Sequence, residues 1–176
     1  IRLVAEGKNG ELNAIFDRPY SDAHPTKIPA GRLEIDLDPS QRVKSFELNL
    51  ASAEGRAWLG DEARLEVFFS AALPVALIRI PGPEPKALRL RPPASLKRLG
   101  YNAPQTGQDN GTQWFLQEAA DGLRYCVCVS RSRRADATLL AVTVTSTKDG
   151  PSPLEAAQAR VAAALARGYD KMREPH

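Results

Sequence analysis

The amino-acid sequence predicts a mainly β protein, an antiparallel β-super-sandwich followed by one C-terminal amphipathic α-helix. Apolar and polar side chains alternate in several short segments, which is the pattern of strands with one buried face. Turn signals such as Asn110-Gly111 and Asp121-Gly122 separate these segments at short intervals, as is typical of antiparallel sandwiches. Only near the C-terminus does the spacing of apolar residues change to that of a helix.

Eight segments carry the strand pattern. The clearest is residues 33–37, where Leu33, Ile35 and Leu37 alternate with charged side chains. The run at residues 75–80 has apolar side chains on both faces, interrupted by Arg79, so it predicts a central strand that is packed on both faces. The remaining segments are residues 46–50, 65–69, 88–90, 114–116, 125–129 and 140–144.

Two segments rich in proline and glycine interrupt this alternation, at residues 18–31 and 92–111. Both predict long ordered loops, because neither holds a sustained apolar period. Loops of such length inside a compact domain more often have a function than serve only as connections. They are therefore the first places to search for binding residues.

The C-terminal segment predicts one helix that begins after Ser152 and ends near Arg167. Ser152, Pro153 and Glu155 have the order of a capping serine, a first-turn proline and a capping-box glutamate. Gly168 is a stop signal. The apolar positions on nearly one face are Leu154, Val161, Leu165 and Met172. Such a helix is either a lid on the sandwich or a linker to another domain.

The composition is that of a globular chain of single-domain size. Of 176 residues, 43% are hydrophobic and 26% charged, which is too apolar for a disordered chain. No apolar run reaches the ~18 residues of a membrane span, and no signal peptide is visible. We assign residues 1–150 to the sandwich domain and residues 151–176 to the helix and linker. The compartment stays open between the cytoplasm and, if a signal peptide has been removed, the bacterial periplasm or exterior.

Cys126 and Cys128 are predicted to be apolar packing residues. Only Val127 separates them in a strand pattern, so both side chains point to the same face. Such a pair is poorly spaced for a disulfide within one strand. With no histidine nearby in the sequence it also does not form a zinc site, and we predict no metal and no cofactor.

No catalytic residue is assigned. The chain has two histidines, His24 and His176, and it lacks a nucleophile elbow, a phosphate-binding loop and a dinucleotide fingerprint. A glycosidase needs two carboxylates that face each other across a cleft. Asp36 and Asp38 share one strand face directed to water, so their spacing does not distinguish an acid/base pair from surface charge.

Side chains suited to sugar binding occur in the two predicted loops and beside them. An aromatic ring stacks on the apolar face of a pyranose, while amides and carboxylates bond its hydroxyls. The candidate substrate-binding residues are Tyr20, His24, Tyr101, Asn102 and Trp114. His24 and Trp114 also have ordinary interpretations. His24 can hydrogen-bond within its own loop, and Trp114 can belong to the core.

The stretch from His24 to Leu37, HPTKIPAGRLEIDL, is similar to a segment in the N-terminal domains of glycoside hydrolase family 95 and its relatives. The similarity continues through strands like residues 46–50 and 74–80, a hairpin like residues 57–69, and a closing helix with Gly168-Tyr169-Asp170. The similarity spans roughly residues 10–176. It consists mainly of hydrophobic patterns, with a few matching Gly, Pro and His residues.

The resemblance implies a β-super-sandwich joined by a helical linker to an (α/α)6 barrel. In that family the general acid and base belong to the barrel, so no family catalytic residue has a matching position in this chain. The resemblance therefore implies a fragment or separated domain that shapes the substrate cleft and braces a catalytic barrel through its C-terminal helix.

Our first hypothesis is thus a non-catalytic N-terminal sandwich domain of a carbohydrate-active glycoside hydrolase. One alternative is a self-sufficient carbohydrate-binding module. Another is a polyanion-binding domain, because Arg131, Arg133 and Arg134 form a basic cluster in a chain of net charge +3. Nucleic acid is not favoured, since single-strand binders interleave basic and exposed aromatic residues. The last alternative, an enzyme, needs a carboxylate pair that converges near His24.

Overall fold

The computed structural model describes residues 29–38, 42–59 and 63–175, together with residues 10, 11 and 14. In this part of the chain, antiparallel strands predominate, as predicted. The elements discussed below are β1 (Arg32–Asp36), β2 (Val43–Asn49), β3 (Glu54–Leu59), β4 (Ala63–Phe69), β5 (Val75–Pro81), β6 (Ala87–Arg91), α1 (Ser95–Arg98), β7 (Gln105–Asp109), β8 (Thr112–Glu118), β9 (Arg124–Arg133), β10 (Ala137–Ser146), α2 (Pro153–Arg167) and α3 (Tyr169–Arg173).

Two antiparallel sheets of unequal size form the sandwich. The large sheet has eight strands in the order β2-β3-β4-β5-β10-β9-β8-β7, and the small sheet pairs β1 with β6. The small sheet packs on one face of the large sheet, and α2 and α3 pack on the other. Within the described ranges, no helix combines the length and apolar content needed to span a bilayer.

The face under the small sheet is an aliphatic core. Alternation along β1 and β6 directs Leu33, Ile35 and Leu88 toward Ile80 and Leu140 of the large sheet. This confirms the strand and the buried face predicted for residues 33–37. The two layers are also joined by the side-chain amide of Gln113.

Gln113 of β8 hydrogen-bonds the outer backbone edge of β6. Its Nε2 donates to the carbonyl oxygen of Leu88 at 2.9 Å, and its Oε1 accepts from the N–H of Leu90 at 3.2 Å. One side chain thereby satisfies two backbone groups that the two-stranded sheet leaves unpaired. The small sheet is consequently held in register against β8.

The opposite face of the large sheet is covered by α2, which is a lid. Ala157, Val161 and Ala164 are essentially inaccessible and pack on Phe68 and Leu77. The helix ends where Gly168 adopts φ +84°, a conformation that favours glycine. The apolar stripe of α2 is therefore buried within this chain.

The predicted N-terminal cap of α2 is wrong in one detail. The helix begins at Pro153, but the Ser152 side chain makes no capping hydrogen bond. The Thr145 hydroxyl instead donates to the carbonyl oxygen of Pro153 at 2.6 Å and ties the first turn to β10. Tertiary contact with the sheet has replaced the local capping interaction.

Cys126 and Cys128 are buried, unpaired with each other, and lie under α2, as the packing interpretation predicted. Burial raises the pKa of the Cys126 thiol to about 12 and that of the Cys128 thiol to about 11. Both thiols therefore stay protonated in the folded protein at pH values where free cysteine, with a pKa of about 8.5, ionises.

Neither thiol is expected to react with a water-soluble disulfide reagent at pH 8 until the chain unfolds. Because the unfolded state alone releases these protons, the free energy of unfolding should fall as the pH rises from about 8.5 toward 11 or 12. Thiol titration with and without urea tests the first expectation, and urea midpoints at several alkaline pH values test the second. Rapid reaction of a folded sample would contradict both.

The prediction of one long loop over residues 92–111 is wrong. This segment contains the short helix α1 and the strand β7, which pairs with β8 across a tight turn. Asn110 and Gly111 have φ of +45° and +78°, the conformation of a two-residue hairpin turn. The sequence Gln-Thr-Gly-Gln-Asp of β7 has no apolar alternation, because β7 is an edge strand with little to bury. Of the other predicted loop, residues 18–28 lie outside the described residues.

The strand predicted at residues 46–50 is confirmed as β2, but its apolar face is not buried. Phe46 is 61% exposed and Leu48 56% exposed. Both lie on the same side of the large sheet as the small sheet, which has only two strands and does not extend over β2. A patch of that face therefore remains exposed to solvent.

A charged cluster fixes α3 to the far end of the helix-covered face. The Glu54 carboxylate, 2% exposed, accepts from Arg56 Nη2 at 2.9 Å and from Arg173 Nη2 at 3.2 Å. Tyr169 of α3 contacts Phe68 edge-on, with ring centroids 5.1 Å apart. The C-terminal turn is thus held by both ionic and aromatic contacts.

Candidate functional site

The structure places three of the five predicted sugar-binding residues at one end of the large sheet. Trp114 lies on β8, and Tyr101 and Asn102 lie in the segment that leads into β7. Tyr20 and His24 lie outside the described residues.

The Trp114 ring lies across the backbone of Gly107 on the neighbouring edge strand. The two residues are paired in register, and a Cβ at position 107 would clash with the indole. Gly107 is therefore required here by the close approach of the ring. On the same face of β7, two residues to either side, Gln105 and Asp109 are exposed. An amide and a carboxylate thus flank a half-buried indole.

Asn102 is held at the other end of β8 by Glu118, which is charged, and by Gln117, which is buried. Its Nδ2 donates to Glu118 Oε2 at 3.0 Å. Its backbone carbonyl accepts from Nε2 of Gln117 at 3.1 Å, and Gln117 is fully buried. The Gln117 amide thereby fixes the backbone of the Asn102 segment, while the Asn102 side chain stays at the surface.

Tyr101 is positioned through its backbone. Gly100 takes φ +81° directly after α1, and the Tyr101 N–H donates to the carbonyl oxygen of Leu96 at 3.1 Å. This hydrogen bond closes the α1 turn, and the chain then continues toward β7. Tyr101 is half-buried, so it contributes to packing around the site as well as to its surface.

A shallow cavity of about 260 Å³ lies beside Asn102 and Glu118. Its lining is mainly polar and consists of Asn102, Ala103, Gln105, Leu116, Glu118 and Arg124. Gln105 lines this cavity and lies two residues from Gly107, over which the Trp114 ring is laid. We call the cavity lining, together with Trp114, Gly107 and Asp109, the β7–β8 strip.

The β7–β8 strip can form hydrogen bonds of both senses beside an aromatic surface. Amides donate and accept, the carboxylates of Asp109 and Glu118 accept, and Arg124 donates. Glu118 lies four positions after Trp114 along the strand, which corresponds to about 13 Å. That length suits an extended polar ligand of several units. The arrangement is chemically suited to the recognition of such a ligand.

Trp114 and Asn102 are among the candidates predicted from the sequence, whereas Glu118 and Gln117 are not. Their contacts with Asn102 join residues 16 and 15 positions apart. A glycine inside a polar segment was the available signal for Gly107, because such a glycine often marks a close approach. Among the described residues, no group of three or more His, Cys, Asp or Glu side chains is placed to hold a metal ion.

The fold belongs to the class of mainly β, antiparallel sandwich domains. No protein-family model matches the chain, and no curated protein matches it significantly. Function therefore has to be inferred from the chain's own residues.

Proposed function

We propose that this chain is a non-catalytic sandwich domain of a carbohydrate-active hydrolase and that it holds a carbohydrate on the β7–β8 strip. The observation that carries the proposal is the indole of Trp114, laid over Gly107 between an exposed amide and an exposed carboxylate. An indole face offers apolar stacking area, and the flanking groups suit the hydroxyls of a sugar ring.

The relation of this domain to a catalytic barrel differs from the one expected from the helix pattern. The apolar stripe of α2 packs on the large sheet and is not free to bind another domain. A catalytic domain would instead meet the chain through another surface. In this proposal, the sandwich presents the carbohydrate, and the hydrolytic acid and base come from outside the chain.

The proposal is tested by a sugar-binding screen with the 15N-labelled chain. We expect saturable shifts of the Trp114 indole and of the amides of Gly107, Gln105 and Asn102 with one class of oligosaccharide. No hydrolysis of chromogenic glycosides is expected from the chain alone. A folded sample that shows no shifts with any sugar, or that hydrolyses one, would contradict the proposal.

A Trp114→Ala variant is expected to reduce sugar affinity at least tenfold, because stacking on the ring is lost. Trp58→Ala is the matched control. Trp58 is the other tryptophan, is also half-buried, and has the Arg64 guanidinium 5.8 Å from its ring centroid, on β3 and β4 away from the strip. Isothermal titration of both variants measures the effect. Equal losses of sugar affinity in the two variants would mean that Trp114 is not part of the binding surface.

A further inference from the structure

An exposed apolar patch lies on the large sheet beside the small sheet. Its members are exposed by between 46% and 73% and come from three strands. They are Val43, Phe46 and Leu48 of β2, Phe69 of β4 and Val144 of β10. We call this patch, with the groove described next, the open face. Single exposed apolar residues are ordinary on protein surfaces, but a contiguous patch marks an interaction site.

A groove of about 480 Å³ adjoins these side chains. It runs between the large sheet and the end of the small sheet and is lined mainly by aliphatic groups, such as those of Val67, Ile78, Val127 and Val142. Phe69, 73% exposed, stands at its rim. A protruding aromatic residue beside an apolar groove is an arrangement that can complement itself.

We propose that the open face binds a second copy of this chain, face to face, in a two-fold symmetric dimer. A two-fold axis near the rim places the Phe69 ring of each copy against the groove of the other. Sheet-on-sheet packing of this kind is the ordinary solution for an uncovered apolar sheet face. The inference does not depend on sugar binding, since the β7–β8 strip lies at the opposite end of the strand order.

The groove of the open face carries little charge, so charge does not oppose an identical partner there. The chain has a net charge of +3, so most pairs of its surfaces repel weakly. The residues that line the groove include one charged side chain, Arg32, and it is bonded to Glu34 at 3.2 Å. Two copies of the open face therefore meet without opposing like charges that lack partners.

The area is at the lower limit for a stable dimer. Phe46 and Phe69 are 61% and 73% exposed, and about 200 Å² per buried phenylalanine gives roughly 270 Å² for the two. The aliphatic members add roughly 150 Å². With the groove lining, two copies approach the ~1,000 Å² that specific interfaces require. We therefore expect a dimer that dissociates on dilution.

Edge-to-edge pairing of β2 is a less suitable way to join two copies. The pairing of β2 with β3 shifts register between Val43 and Ser45, which places a bulge with Lys44 in this edge strand. Bulges and lysines on edge strands are features that prevent strand addition. On the β2 side of the large sheet, face-to-face packing is therefore the more suitable arrangement.

Sedimentation velocity over low to high micromolar concentrations tests the proposal. We expect a monomer–dimer equilibrium whose dissociation constant rises at least tenfold in Phe69→Gln and in Leu48→Gln. Glu47→Gln is the matched control, since it introduces the same side chain on the other face of the same strand, and its dissociation constant should match that of the unmodified chain. Circular dichroism and protection of the buried thiols confirm that each variant is folded.

Two results would overturn the dimer. One is a folded chain that remains monomeric at all concentrations. The other is a chain that is monomeric alone but forms a complex with an added (α/α)6 barrel domain, lost in Phe69→Gln, because this would assign the open face to that domain. Sugar binding by a monomeric chain would leave the proposed function intact, so the two proposals fail separately.

Discussion

A Val161→Asp substitution is expected to unfold the chain or bring it close to unfolding. Val161 is 1% exposed at the centre of α2 and belongs to the cluster that covers Phe68 and Leu77. The variant loses this apolar burial and places a carboxylate, without a partner, among aliphatic groups. We expect a loss of about 4 kcal/mol or more, a large part of the 5–15 kcal/mol that stabilises an ordinary domain.

Ala163→Asp is the control for this experiment. Residue 163 is exposed on the same helix, two positions away, so the same side chain there meets water. Its cost should stay within about 0.7 kcal/mol, which is the helix-propensity difference. Urea denaturation followed by circular dichroism measures both variants. Similar midpoints for the two would mean that α2 does not cover the sheet in solution and is available as a linker.

The result also bears on the division of the chain near residue 150. Residues 151–176 were assigned to a helix and linker, yet α2 and α3 share one hydrophobic cluster with β4, β5, β9 and β10. A linker would tolerate a charged residue on its apolar stripe. A lid would not, because the stripe is part of the core.

The strands were largely predictable because alternation reports directly on which side chains share a face. Leu33, Ile35 and Leu37 illustrate this well, since burying one face of β1 requires that pattern. Phe46 and Leu48 mark its limit. The alternation places them on one face, but it does not say whether a second layer extends far enough to cover that face.

The edge strand β7 could not be predicted from its own residues. Gln105, Thr106 and Gln108 are exposed polar side chains, and Gly107 has none. The strand exists because β8 offers it a backbone partner through the Asn110-Gly111 turn. Composition alone was enough to select Trp114 and Asn102 as candidates. The contacts that hold Asn102 come from Gln117 and Glu118, which only the folded chain brings near.

Glu54→Gln is expected to cost about 2–3 kcal/mol, because it removes the buried negative charge shared by two guanidinium groups and replaces one accepting oxygen with a donor. Glu54 is 2% exposed, whereas Arg56 and Arg173 reach solvent, so the cost should lie at or below the low end of the 3–5 kcal/mol for breaking a buried pair.

Glu47→Gln is the control. The Glu47 carboxylate contacts the same Arg56 at 3.8 Å but is 51% exposed, and its loss should cost no more than about 0.5 kcal/mol. Amide hydrogen exchange should also quicken across α3 in Glu54→Gln alone, because Arg173 anchors that helix. Equal costs and unchanged exchange would mean that the aromatic contact of Tyr169 with Phe68, and not the ion pair, holds the C-terminal turn.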